Sequence, residues 1–137
     1  AAAIASLVVQ PAFANGIGRI KTVVGSALVE RAGAKLPVKP GFLLEQGDTL
    51  ITGKDGKVGI TFNDDTRFAT GTNARVNIAQ YVFDDTTHDG QFTTNIEKGK
   101  VAIVSGKIAK AAKDAMKVRT PLALLGVRGT RFVVDVR

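Results

Sequence analysis

The amino-acid sequence predicts an all-β domain, built either as a twisted β-solenoid or as an irregular sandwich of short strands. Apolar and polar residues alternate in several short segments, a pattern typical of strands with one face on a core and one in water. Turn-forming Gly, Asp and Asn residues recur between these segments. The chain has 137 residues, of which 45% are hydrophobic, so it is long enough to bury the core of one compact domain.

In each predicted strand the apolar residues are two or four positions apart, so that they share one face: Val58, Ile60 and Phe62; Val76 and Ile78; Phe92 and Ile96; Phe132, Val134 and Val136. Turns are predicted at short intervals between and around them: Ala32-Gly33, Pro40-Gly41, Gln46-Gly47-Asp48, Lys54-Asp55-Gly56, Asn63-Asp64-Asp65, Asp89-Gly90 and Lys98-Gly99. Short strands with closely spaced turns are typical of sandwiches, barrels and solenoids.

One segment, residues 106–117, departs from this alternation. Helical spacing would place four lysines on one side and small or apolar residues largely on the other: Lys107, Lys110, Lys113 and Lys117 against Ile108, Ala111, Ala112, Ala115 and Met116. We therefore expect a short basic helix or an ordered loop here.

Positive charge is concentrated in the last third of the chain. The net charge is +7, and residues 98–137 contain ten Lys and Arg against two Asp and Glu, whereas residues 1–97 contain nine against ten. This asymmetry would attract an anionic glycan or lipid, and the residues expected to bind it are Lys107, Lys110, Lys113, Lys117 and Arg119. A charged row that merely faces water is the alternative.

The N-terminal segment resembles the end of a secretory signal peptide. It is apolar and finishes with Ala12-Phe13-Ala14, an A-x-A cleavage pattern. We expect a signal peptide remnant at 1–14 and one domain over 15–137, exported to the periplasm or the cell exterior, with no transmembrane segment in the mature chain. A buried element or a membrane-anchor remnant is the alternative. The chain lacks an initiator Met and stops within a strand-like run, so we also expect it to be truncated.

No enzymatic motif is recognisable. The chain has no Cys and a single histidine, His88, and none of its serines lies in a G-x-S-x-G elbow. The acidic segment Asp84–Gly90 has oxygen-bearing residues at spacings suited to calcium, but Ile96 stands where an EF-hand needs a Glu, so a hairpin turn is the preferred interpretation. We expect no catalysis, no metal and no cofactor. Nucleic acid is not expected either, because the basic end lacks interleaved aromatic residues.

Several short motifs, in this order, resemble those of the FecR domain family over about Gly18 to Val136. They are Gly47-Asp48-Thr49-Leu50-Ile51-Thr52, Val58-Gly59-Ile60-Thr61-Phe62-Asn63-Asp64, Lys98-Gly99-Lys100-Val101, Val118-Arg119-Thr120-Pro121 and Gly126-Val127-Arg128-Gly129-Thr130-Arg131-Phe132. Thr120-Pro121 should pre-set an extended turn, and Gly126 with Gly129 should permit a tight reversal. We interpret the motif residues as structural: Gly47, Asp48, Thr52, Thr120, Pro121, Gly126, Arg128, Gly129, Thr130 and Phe132.

The resemblance implies a twisted all-β solenoid without catalysis or cofactor. In its best-known members the domain is the periplasmic part of a transmembrane regulator, which receives a signal from an outer-membrane ferric-siderophore or ferric-citrate transporter and passes it to a cytoplasmic sigma factor. Here a cleavage site directly before the domain favours a stand-alone exported binding module of the cell envelope. Two alternatives stay open: a self-associating structural subunit of a surface array or filament, and the sensor part of such a regulator. The family's usual D-G turn is Asp64-Asp65 here, which should alter one turn only.

Overall fold

The computed structural model describes residues 16–128 and 131–137, and within these ranges the chain forms twelve strands and one helix. The predicted signal segment at 1–14 lies outside the described residues, as do Gly129 and Thr130 of the motif series.

In chain order the strands are β1 (Gly18–Val24), β2 (Ala27–Arg31), β3 (Ala34–Pro37), β4 (Leu43–Leu44), β5 (Thr49–Thr52), β6 (Lys57–Phe62), β7 (Arg67–Thr70), β8 (Arg75–Phe83), β9 (Gly90–Val104), β10 (Met116–Arg119), β11 (Leu124–Val127) and β12 (Arg131–Val136). The helix α1 (Lys107–Ala111) connects β9 to β10.

All twelve strands belong to one curled sheet, a half-barrel with two halves that share β9. In the β8 half the order is β3-β2-β5-β8-β9-β10-β11, and in the β6 half it is β4-β1-β6-β7-β9-β12. Every pairing is antiparallel except that of β10 with β9. Curling brings the inward faces of the two halves together around one core.

Strand β9 passes from one half to the other at Gly99, where φ is +96°. The turn predicted at Lys98-Gly99 is therefore wrong, because β9 runs continuously through it from Gly90 to Val104. Two long-range pairings override the local turn signal: the first part of β9 pairs with β8, and the second part pairs with β7 and β12.

The core is built from the inward residues that alternation predicted, including Phe62, Ile78 and Phe92. Four aromatic rings form its centre, with neighbouring ring centroids 4.8 to 5.7 Å apart: Phe62, Phe68, Tyr81 and Phe92. Edge-on and offset contacts at these separations add to the free energy gained from burying the rings.

The predicted all-β fold with one short helix is confirmed. The word solenoid describes it only loosely, because almost all neighbouring strands are antiparallel and β9 closes both halves on each other. Helix α1 ends at Ala111, since the next residue, Ala112, is extended (φ −150°, ψ 143°). The helical row of four lysines is consequently not formed.

Candidate partner-binding surface

The most deeply buried carboxylate is that of Asp64, in the turn between β6 and β7. It accepts hydrogen bonds from the Thr66 hydroxyl (2.7 Å) and N–H (3.3 Å), from the Tyr81 hydroxyl (2.9 Å) and from the Ile108 N–H (3.2 Å). The Tyr81 hydroxyl in turn accepts the Asp64 N–H at 2.9 Å. Burial, and next the charge of Asp64, raises the pKa of Tyr81 above its usual value. Both carboxylate oxygens are hydrogen-bonded within the protein, and the bond from the Ile108 N–H holds α1 against the turn.

The motif residue Asp48 is also buried, and its partner is Arg31 of β2. Two Arg31 nitrogens donate to the two Asp48 oxygens at 2.8 Å each, and the Glu45 N–H donates to Oδ2 at 2.8 Å. The hydrogen bonds and charge of Asp48 raise the pKa of Arg31. This pair fastens the loop before β5 to β2, which supports a structural role for Asp48.

The acidic segment Asp84–Gly90 forms the hairpin turn between β8 and β9, as the sequence predicted. Asp84 Oδ1 accepts the N–H groups of Thr86 (2.9 Å) and Thr87 (3.2 Å), and the His88 ring stacks near Phe83. Among the described residues there is no group of His, Cys, Asp or Glu arranged to hold a metal ion.

The five residues expected to bind an anion lie in three different elements. Lys107 begins α1 and forms an ion pair with Asp65 at 3.3 Å, while Lys110 and Lys113 are exposed at the end of α1 and in the loop after it. Lys117 and Arg119 lie on β10, where alternation puts both on the outer face of the sheet because Met116 and Val118 face the core.

Among the motif residues, Thr52 and Thr120 make hydrogen bonds that secure turns. The Thr52 hydroxyl donates to the Gly71 carbonyl at 2.7 Å and accepts the Ala74 N–H at 2.9 Å. Thr120 accepts the Ala123 N–H at 3.1 Å in the turn between β10 and β11, where Pro121 also lies. Phe132 is half-buried on β12, and Arg128 is exposed after β11.

Gly126 does not form the expected reversal. It lies within β11, paired with Lys117 of β10. A Cβ at this position would lie 3.0 Å from Oδ1 of the exposed Asp114 side chain.

One surface was missed by the sequence reasoning: an apolar end of the sheet formed by β11, β12 and the turn before β11, which we call the open mouth. Leu122 is 97% exposed and Leu124 56%. A cleft of about 800 Å³ lies between the two strands, with these apolar lining residues: Pro121, Leu122, Leu125, Val134 and Val136. The run Pro121-Leu122-Ala123-Leu124-Leu125, apolar across a turn, was the available signal. A contiguous exposed apolar patch often marks an interaction site, whereas single exposed apolar residues are ordinary.

No helix among the described residues has the length and apolar character needed to cross a membrane.

A family model described as FecR protein matches residues 48–137. The chain belongs to the FecR family. The FecR family consists of regulatory sensor domains associated with the bacterial periplasm and envelope, and it is not a known enzyme family. Neither the comparison with curated proteins nor that with solved structures gives a significant match.

The FecR assignment confirms the resemblance seen in the motifs. The match begins at Asp48, whereas the resemblance extended from Gly18. Strands β1 to β4 lie before the matched part, yet they belong to the same sheet through the pairs β1–β6 and β2–β5.

Proposed function

We propose that this FecR domain is a non-enzymatic binding module, exported to the bacterial envelope, that recognises another envelope protein. The observation that carries the proposal is the contrast between the interior and the open mouth. The buried carboxylates of Asp48 and Asp64 are saturated by internal hydrogen bonds, whereas Leu122 and Leu124 are left in water. A domain whose buried carboxylates are hydrogen-bonded internally and whose apolar end is uncovered is suited to binding a partner.

Crosslinking in the native host tests this function. The complete mature protein, carrying a tag, is crosslinked in intact cells, and its adducts are identified by mass spectrometry. Recovery of an outer-membrane transporter would support the sensor role in transmembrane signalling, and recovery of another envelope protein would support a stand-alone module. A reporter fused after the native N-terminus must be active outside the cytoplasm, and retention in the cytoplasm would contradict the proposal.

A structural subunit of an array or filament is a second candidate, favoured by the strand edges at the ends of the curled sheet. Among the described pairings, β11 pairs with β10 alone and β3 with β2 alone. Unpaired edges template association between chains. This candidate predicts self-crosslinking and concentration-dependent sedimentation, and a monomer at high concentration would argue against it.

We also propose that an anionic glycan or lipid binds the basic residues from Lys107 to Arg119, supported by the charge asymmetry and by the exposure of Lys110 and Lys113. Changing the four lysines to Gln should weaken binding to vesicles containing an anionic phospholipid and flatten its salt dependence. A matched control changes four exposed lysines elsewhere to Gln: Lys35, Lys39, Lys54 and Lys57. Equal losses in both variants would indicate general charge attraction and no site.

A further inference from the structure

As far as the structure describes the chain, the open mouth lies at one end of each half of the curled sheet. Among the described residues, β11 pairs only with β10, and β12 pairs only with β9. The outer edges of both strands therefore present N–H and C=O groups that no described strand occupies, and such edges accept an added strand.

Register shows which side chains a strand beside β11 would meet. Leu125 pairs with the fully buried Val118, so its side chain points inward, yet it remains 40% exposed because no strand covers it. Leu124 pairs with Arg119 on the outer face. An added strand would thus place one row of side chains over the apolar cleft and the other row beside Arg119.

Arginines lie beside β11 and in the cleft. Arg119 pairs with Leu124 of β11, Arg128 directly follows β11, and Arg137 lines the cleft together with Asp135. None of the ion pairs within the described ranges involves these three arginines. Guanidinium groups without carboxylate partners are suited to binding carboxylates of another molecule.

From these three features we propose that the open mouth binds an extended segment of a partner protein in which apolar residues alternate with acidic ones, added as a strand beside β11. The apolar row covers Leu122, Leu125 and Val134, and the acidic row meets Arg119 and its neighbours. A two-fold pairing of two copies through β11 is disfavoured, because it would bring two sets of the same arginines together. This inference rests on the proposed binding function and names the surface and the chemistry of the partner.

Selection from a displayed library of random peptides of about ten residues, a length that spans a typical strand, tests the proposal without a known partner. Peptides selected on the wild-type domain should alternate apolar residues with Asp or Glu. Their binding should weaken roughly tenfold or more in the Leu122→Ser/Leu125→Ser variant. Val82→Ser, at a residue 56% exposed on β8, is the matched control and should leave binding unchanged.

Two further measurements test the electrostatic contribution and the position of the bound peptide. Arg119→Gln/Arg128→Gln should flatten the salt dependence of peptide binding, whereas Lys35→Gln on β3 should not. The bound peptide should slow hydrogen exchange of amides within residues 124–127. Since Leu122 is almost fully exposed, Leu122→Ser alone keeps the fold intact and should still weaken binding, even if the double variant proves unstable.

Three results would overturn the proposal: selected peptides that are neutral or basic, peptides that bind the Leu122→Ser variant as tightly as the wild type, or dimerisation of the domain through the mouth. Its failure is distinguishable from failure of the binding function. If crosslinking in cells recovers the same envelope partner from the wild type and from Leu122→Ser/Leu125→Ser, the domain binds a partner through another surface.

Discussion

Tyr81 is the single tyrosine of the chain, and its hydroxyl has two partners on Asp64. It donates to the carboxylate and accepts the backbone N–H, each at 2.9 Å. The ring also contacts Phe62 and Phe92 in the aromatic centre of the core. Tyr81 therefore connects apolar packing with the polar cluster that holds α1.

Tyr81→Phe should lower the free energy of unfolding by about 1–3 kcal/mol, because the Asp64 carboxylate loses a buried donor. Urea unfolding at neutral pH measures the change. Thr66→Val, which removes the other hydroxyl bonded to Asp64, is the companion variant, and the double variant should deviate from additivity because both hydroxyls serve one carboxylate. A Tyr81→Phe domain as stable as the wild type would contradict the role of the hydroxyl.

The raised pKa of Tyr81 has a consequence for alkaline stability. An unfolded tyrosine loses its proton near pH 10, whereas folded Tyr81 keeps it because of burial and the nearby Asp64 charge. The stabilisation is complete below about pH 10 and declines as the pH rises further, since the unfolded state then binds fewer protons. Urea midpoints measured from neutral to alkaline pH should fall more steeply for the wild type than for Tyr81→Phe, and parallel curves would contradict this.

Gly99 is the residue at which β9 changes from one half of the sheet to the other. Its φ is +96°, and a Cβ there would lie 2.5 Å from that of Ala74. Gly99→Ala should lower the free energy of unfolding by roughly 1–3 kcal/mol, because it adds both backbone strain and a steric clash with Ala74. Gly33→Ala is the matched control, because its φ is +83° but its Cβ would meet nothing within 4 Å. Equal losses at both sites would show that the contact with Ala74 is unimportant.

At the scale of elements, β2 is tied to the loop before β5 by the Arg31–Asp48 pair. Asp48 is 1% exposed, so removing its partner leaves a buried carboxylate uncompensated. The connection between β10 and β11 has no such buried pair among its described contacts, and it leaves Leu122 and Leu124 exposed to water. The first connection stabilises the sheet, and the second exposes apolar side chains.

Arg31→Met should cost about 3 kcal/mol of unfolding free energy, while Arg31→Met combined with Asp48→Asn should cost less than the sum of the single changes. Arg75→Met is the control, since its ion pairs with Glu30 and Glu97 are far more exposed than the Arg31–Asp48 pair and such pairs contribute little. Denaturant unfolding of the four variants measures the coupling. Equal effects of Arg31→Met and Arg75→Met would contradict a special role for the buried pair.

At the scale of the whole molecule, the segment matched by the FecR model is not a complete sheet. Residues 48–137 lack β1 to β4, and with them the partners of β6 and β5 and the guanidinium that binds Asp48. The buried residues Ile20, Val29 and Leu44 would be lost from the core. We therefore expect the unit that folds cooperatively to include residues from Gly18 onward.

A chain of residues 48–137 should accordingly fail to fold cooperatively, while one of residues 16–137 should show a single unfolding transition. Circular dichroism and dispersion of amide signals in NMR spectra distinguish the two. Well-dispersed signals from the shorter chain would show that the first four strands are an addition to an independent fold.

Much of the fold was predictable because the interactions that determine it are local. Alternation at Val58, Ile60 and Phe62 reports which side of a strand faces the core, and the Asp84–Gly90 segment forms its turn from its own side chains. The order of motifs was sufficient to identify the FecR family. None of these inferences requires knowing which strand lies beside which.

What only the tertiary structure decided depends on residues far apart in sequence. The pairing of β9 with strands on both sides turned a predicted turn at Gly99 into a continuous strand, and Asp64 became buried because Tyr81 and Ile108 supply its hydrogen bonds. The open mouth is likewise invisible locally, since Leu125 resembles an ordinary core residue until the sheet is seen to end beside it. By itself the sequence determined four of the twelve strands, their inward faces and the family. Long-range pairing, which local periodicity does not encode, decided which polar groups are buried and which leucines remain exposed.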